Sequence, residues 1–133
     1  MKFVCLGYIE PGRLENMPKN ERDRMQDECF EYDDQLRANG HFAAGEALQP
    51  PPSAKTLRLN DGKVVVTDGP YAETKEQIGG ILVLEARDLD HAVRLISQHP
   101  GLKFGPWEIR PAGDLNAMVE ESKRRREKDP SIQ

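Results

Sequence analysis

Residues 2 to 9 (KFVCLGYI) place apolar side chains on both alternating faces, Phe3, Cys5 and Ile9 on one and Val4, Leu6 and Tyr8 on the other. That pattern predicts a strand covered on both sides. Glu10-Pro11-Gly12 supplies turn chemistry. Met25, Cys29, Tyr32 and Leu36 then recur at i, i+4, i+7 and i+11, which predicts a helix from Pro18 to Ala38 with one narrow apolar stripe. Asn39-Gly40 stops it. His41 to Ala47 reads as a returning strand, and Gln49-Pro50-Pro51-Pro52-Ser53 as an extended, non-helical connection.

Asp61-Gly62 between TLRLN and KVVVT predicts a two-residue hairpin turn. The turn sets Asn60 against Lys63, Leu59 against Val64, Arg58 against Val65 and Leu57 against Val66, so one face of the hairpin is apolar. Asp68-Gly69-Pro70 breaks the pairing, Ala72 to Gln77 is expected to form a helical turn, and Gly79-Gly80 releases the chain into the strand ILVLEA. Asp88 is an N-cap for a second helix whose Leu89, Ala92, Val93 and Ile96 share a face. Pro100-Gly101 stops that helix, Phe104 to Pro111 reads as the last strand, and Asp114 caps a final charged helix. Without the hairpin this order is the split βαβ plan, an α+β ferredoxin-like fold with an inserted hairpin and an extra C-terminal helix. Two helices cover one face of such a sheet. The strands carry bulky apolar groups toward both, so a homodimer with sheets packed face to face is expected.

With 133 residues, 37% of them hydrophobic, and a mean hydropathy of −0.72, the chain suits one domain with a small core and a wet exterior. No apolar run reaches the ~18 residues of a membrane span, and the first strand lacks a cleavage signal. A cytoplasmic location without a membrane partner is expected. Two cysteines without C-x-x-C spacing exclude a disulfide framework or a zinc ribbon. The net charge is −4, and the basic run Lys123 to Arg126 is balanced by acids within residues 113 to 133, so no nucleic-acid partner is expected. Gly79-Gly80 lacks G-x-G-x-x-G spacing and precedes a strand, and His41 and His91 show no ligand spacing. No cofactor and no metal are expected.

The segment from Val66 through Asp68-Gly69-Pro70-Tyr71 to Gly80 strongly resembles the signature of the YCII-related family, in its DGPF-motif branch, with Tyr71 standing where the branch name has Phe. Gly45-Glu46-Ala47-Leu48, Asp88-Leu89-Asp90 and Glu108-Ile109-Arg110-Pro111 extend the resemblance over residues 1 to 112, leaving 113 to 133 as a helical charged tail. The resemblance implies a dimeric α/β barrel of two ferredoxin-like halves, in a branch largely uncharacterised and often encoded near alternative sigma factors. It also implies a cleft pair, a His on the first helix and an Asp just before a proline after the second. Cys29 and His99 align with those places, so the usual pair is expected to be missing. A Cys-His couple can make a thiolate nucleophile, whereas a Cys on an apolar stripe is ordinarily a core filler.

Asp68 suits an Asx-type turn, its side chain accepting from the amides that follow. It also suits a site. Asp68, Glu73, Lys75, Gln77 and Glu46 are expected to converge with Arg110, Tyr8 and Trp107 on a cleft that binds a small organic ligand. One rival reading is an acid/base enzyme, isomerase- or hydrolase-like, using Asp68 and Glu46. Another is a regulatory module that touches a sigma factor through the helix from 18 to 38 or through the tail. Ligand, reaction and enzymatic status stay open at this level.

Overall fold

The structure is a computed structural model and describes residues 1–129 and 131. Strand β1 (Lys2–Ile9) lies between β5 (Gln77–Glu85) and β6 (Trp107–Pro111), and β5 in turn pairs with β2 (Phe42–Ala47). All three pairings are antiparallel. The order β2-β5-β1-β6 is the ferredoxin-like sheet, with the most apolar strand inside it. Alternation sends Phe3, Cys5, Leu82 and Leu84 to one face. There they form the core with Leu36 of α1 (Lys19–Ala38) and with Ala92 and Ile96 of α2 (Leu89–Ser97). The Tyr32 hydroxyl donates to the Leu95 carbonyl and ties the two helices together.

Local chemistry sets the element ends. Asp88 Oδ1 accepts from the His91 amide at 2.8 Å at the start of α2. Asp114 accepts from Ala117 at 2.9 Å at the start of α3 (Leu115–Lys128). Each bond satisfies an amide that the helix itself leaves unpaired. Strands β3 (Lys55–Asn60) and β4 (Lys63–Asp68) form the hairpin in the expected register, with Asp61 and Gly62 at φ of 50° and 79°. These two strands pair only with each other, as a separate two-stranded sheet.

Four local expectations need correction. Residues 72 to 76 are irregular rather than helical, because the Gln77 side-chain amide donates to the carbonyls of Ala72 and Thr74 and holds the segment as a loop. Gly79 and Gly80 lie within β5, at the bulge where the register against β1 shifts between Gly7 and Tyr8. The proline run includes a short 3₁₀ turn, Pro51–Ser53, rather than being extended throughout. Strand β6 also begins later than expected, since Pro100–Lys103 forms a second 3₁₀ turn first. Arg13 donates to the carbonyls of Lys103 and Phe104 at 2.9 and 2.8 Å and pins that connection.

The other sheet face carries Val4, Leu6, Ile81 and Val83, all half-buried. Leu57, Leu59, Val64 and Val66 of the hairpin and Leu115 and Met118 of α3 are exposed. Residues 130, 132 and 133 of the expected tail lie outside the described residues. No helix among the described residues is long and apolar enough to cross a membrane.

Candidate functional site

His99 stands at the N-cap of the Pro100–Lys103 turn, where the Gly101 amide donates to its Nδ1 at 2.9 Å. Its Nε2 lies 2.9 Å from Oδ1 of Asp33, which comes from α1. Because Nδ1 accepts a backbone N–H, it presents a lone pair, and the ring proton sits on Nε2 and is donated to Asp33. The imidazole is 5% exposed and the carboxylate 20%. Tyr32 meets the imidazole edge-on at 5.3 Å, and Trp107 leans over it at 5.1 Å.

Two glycines make this packing possible. A Cβ on Gly7 would come within 2.8 Å of Trp107 Cζ2, and one on Gly101 within 3.0 Å of His99 Nδ1. Small residues at these two points let the indole lie on β1 and the imidazole fold back on its own turn.

The pair opens on a cleft of about 520 Å³ between the sheet and α1. That volume suits one small organic molecule. Its walls include Ile9, Leu14, Phe30, Phe42, Phe104 and Trp107. The carboxylate and guanidinium residues of its lining are Asp33, Asp34, Arg37 and Glu46. Arg37 is engaged twice, with Asp34 at 2.7 Å and over the Phe42 ring at 4.3 Å. Cys29 also lines the cleft, and burial, followed by the nearby charges of Asp33 and Glu28, pushes its thiol up to about 11, with Lys103 opposing. At neutral pH it is a thiol and not a nucleophilic thiolate.

Of the residues expected to converge, Tyr8, Glu46 and Trp107 line the cleft. Glu46 does so from a position opposite Ile81, on the strand face turned away from Leu82. Lys75 borders a separate, shallower depression with Tyr8 and Trp107. Asp68, Glu73, Gln77 and Arg110 do not line the cleft. Asp68 ends β4 on the self-paired hairpin, is exposed, and pairs with Lys55 across the hairpin rather than with the amides that follow it. Gln77 braces its loop, Arg110 pairs with Glu108 at 2.5 Å, and Glu73 is exposed.

The usual His and Asp pair, expected to be missing, has a counterpart: Asp33 of α1, and not Cys29, is the hydrogen-bond partner of His99. Asp33 follows Cys29 by four residues, about one helical turn, so it shares that side of α1. That spacing is the signal the sequence carries for Asp33, and it lies within the apolar stripe of Met25, Cys29, Tyr32 and Leu36. His41 and His91 meet edge-on at 5.0 Å, although nothing in their sequence spacing indicated contact. Their Nδ1 atoms bond to Glu85 O and to the Arg87 amide, respectively. Among the described residues no group of three or more His, Cys, Asp and Glu side chains is placed to hold a metal ion.

A YCII-related domain model matches residues 1–116. The chain belongs to the YCII-related family. An uncharacterised protein of Rhizobium meliloti is 30% identical over 115 residues, 84% of this chain and 91% of that protein. Among solved structures, this YCII-related chain is similar to 5-chloro-2-hydroxyhydroquinone dehydrochlorinase (TftG) from Burkholderia phenoliruptrix, in complex with 2,5-dihydroxybenzoquinone. The TM-score is 0.51 at 19% identity, covering 85% of this chain and 94% of that one. At that identity the likeness establishes a shared ferredoxin-like fold.

Proposed function

We propose that this YCII-related protein binds a small organic ligand in the cleft at His99 and Asp33, and that it works as a homodimer. The observation that carries the ligand reading is a buried imidazole held by a carboxylate at the wall of a largely apolar cavity. A polar pair of this kind, kept where water is scarce, is characteristic of sites that orient a ligand. The dehydrochlorinase that shares the fold was solved with a ring-shaped organic molecule bound, which is in keeping with a cavity of this size. The homodimer is supported by the apolar groups left on the second sheet face and on the hairpin, which a second copy would remove from water.

A fragment screen by NMR tests the site. Trp107 is the single tryptophan and lines the cleft, so its indole resonance is an unambiguous probe there, and a parallel shift at Lys75 would mark binding in the neighbouring depression instead. Binders are expected to move that resonance and to lose affinity in His99→Ala. Binders that instead cluster on Lys55, Asp68 and the hairpin would place the site elsewhere and defeat the proposal. Sedimentation at low concentration tests assembly, where a particle of 15.0 kDa would exclude the dimer.

A further inference from the structure

Both ring nitrogens of His99 are already committed, Nδ1 to the Gly101 amide and Nε2 to Asp33 Oδ1. An imidazole closed at both ends has no lone pair and no proton left for a ligand. The second carboxylate oxygen of Asp33 has no hydrogen-bond partner among the described residues, and Asp33 lines the cleft. A carboxylate oxygen only accepts. The polar handle offered to a ligand is therefore an anionic acceptor, with His99 holding it in place.

Charge narrows the choice further. Among the described residues the single cation lining the cleft is Arg37, which pairs with Asp34 and lies over Phe42, and the other charged residues of the lining are acids. The Cys29 thiol, raised by burial, stays uncharged beside Asp33. A carboxylate or phosphate entering here would meet the Asp33 carboxylate, only 20% exposed, while Arg37 is already shared with Asp34, which disfavours it. Phe30, Phe42, Phe104 and Trp107 offer flat apolar surface to a ring.

Deepening the proposed ligand reading, on which this rests, we infer that the cleft selects an uncharged aromatic ring bearing an O–H or N–H donor, which it hands to Asp33, and rejects anions. His99 is a positioning residue, and Asp33 is the group that touches the ligand.

Three probes on one ring system test this: naphthol, its methyl ether methoxynaphthalene, and naphthoate, each titrated against the isotope-labelled full chain while the Trp107 indole resonance is followed. Naphthol is expected to bind about tenfold or more tightly than either of the others, the size of one hydrogen bond to a charged acceptor. Asp33→Asn keeps an oxygen for His99 Nε2–H but turns an amide donor toward the cleft, and it should abolish the preference for naphthol over its ether. The ring-nitrogen spectrum of His99 should show the proton on Nε2, a signature that mere packing would not require. Equal binding of naphthol and its ether, stronger binding of naphthoate, or a preference that survives Asp33→Asn would each overturn the inference while leaving the cleft a binding site. Silence of the Trp107 resonance with all three probes, together with silence in the fragment screen, would remove both.

Discussion

Gly7→Ala tests whether the indole and imidazole are packed against β1 as described. The added methyl would sit 2.8 Å from Trp107 Cζ2 and 2.9 Å from Cε2. Carbon atoms rest at about 3.5–4.0 Å, so the ring must withdraw by roughly 1 Å. Retreat is obstructed, since His99 lies 5.1 Å away centroid to centroid and Gly101 flanks the same indole edge. Overpacking of this kind costs about 1–3 kcal/mol. Replacing glycine also lowers the entropy of the unfolded chain, which returns about 0.4–1 kcal/mol where the native backbone suits alanine. The net loss is about 0–2.6 kcal/mol, centred near 1.3 kcal/mol, a fall in Tm of roughly 5 °C at the centre for a chain of this size. Thermal melting followed by circular dichroism measures the loss, and the emission of Trp107 reports the displacement independently. An unchanged Tm combined with an unchanged emission spectrum would refute the packing of Trp107 on Gly7.

Tyr32→Phe removes the hydroxyl that α1 donates to the Leu95 carbonyl but keeps the ring against His99; the expected loss is about 1 kcal/mol in urea unfolding, with Trp107 emission unchanged. Cys29, with its thiol raised to about 11, should react slowly with iodoacetamide at pH 7, and the rate mapped by mass spectrometry should climb steeply as the pH rises; rapid labelling at pH 7 would contradict its burial. Both cysteines are raised from 9.0 to about 11 in the fold, so their neutral forms are favoured there. Their contribution to stability should be intact below about pH 9 and lost as pH rises toward 11, visible as a falling Tm across that window. Asp68→Asn breaks only an exposed pair with Lys55, so stability should change by no more than about 0.5 kcal/mol and occupancy of the cleft not at all. A loss of binding in that variant would return the site to the Asp-Gly-Pro segment.

Much of the fold was legible because the signals are short-ranged. Asp61-Gly62 sets the hairpin register between Lys55 and Asp68, and Asp88 and Asp114 cap their helices through amides three positions on. The stripe of α1 and the doubly apolar β1 likewise follow from side-chain period, and the element order then leads to the ferredoxin-like sheet. Expectations failed where a side chain could choose between partners. Glu73 and Gln77 have helical spacing, yet Gln77 bonds to the Ala72 and Thr74 carbonyls and holds a loop instead.

The candidate site belongs to the other class. Asp33 and His99 are 66 residues apart, and their meeting depends on the rotation of α1 about its axis and on the turn after α2 settling against β1 and β6. Asp68 shows the same rule in reverse, since its charged motif reads as a site while the self-paired hairpin carries it away from the cleft. Periodicity and turn chemistry act over a few residues and are written in the chain, so the sequence alone determined the elements and their order. Which side chains meet in a cavity depends on how the helices dock on the sheet, set by close packing around Phe3, Leu84 and Ile96, and only the tertiary structure decided that.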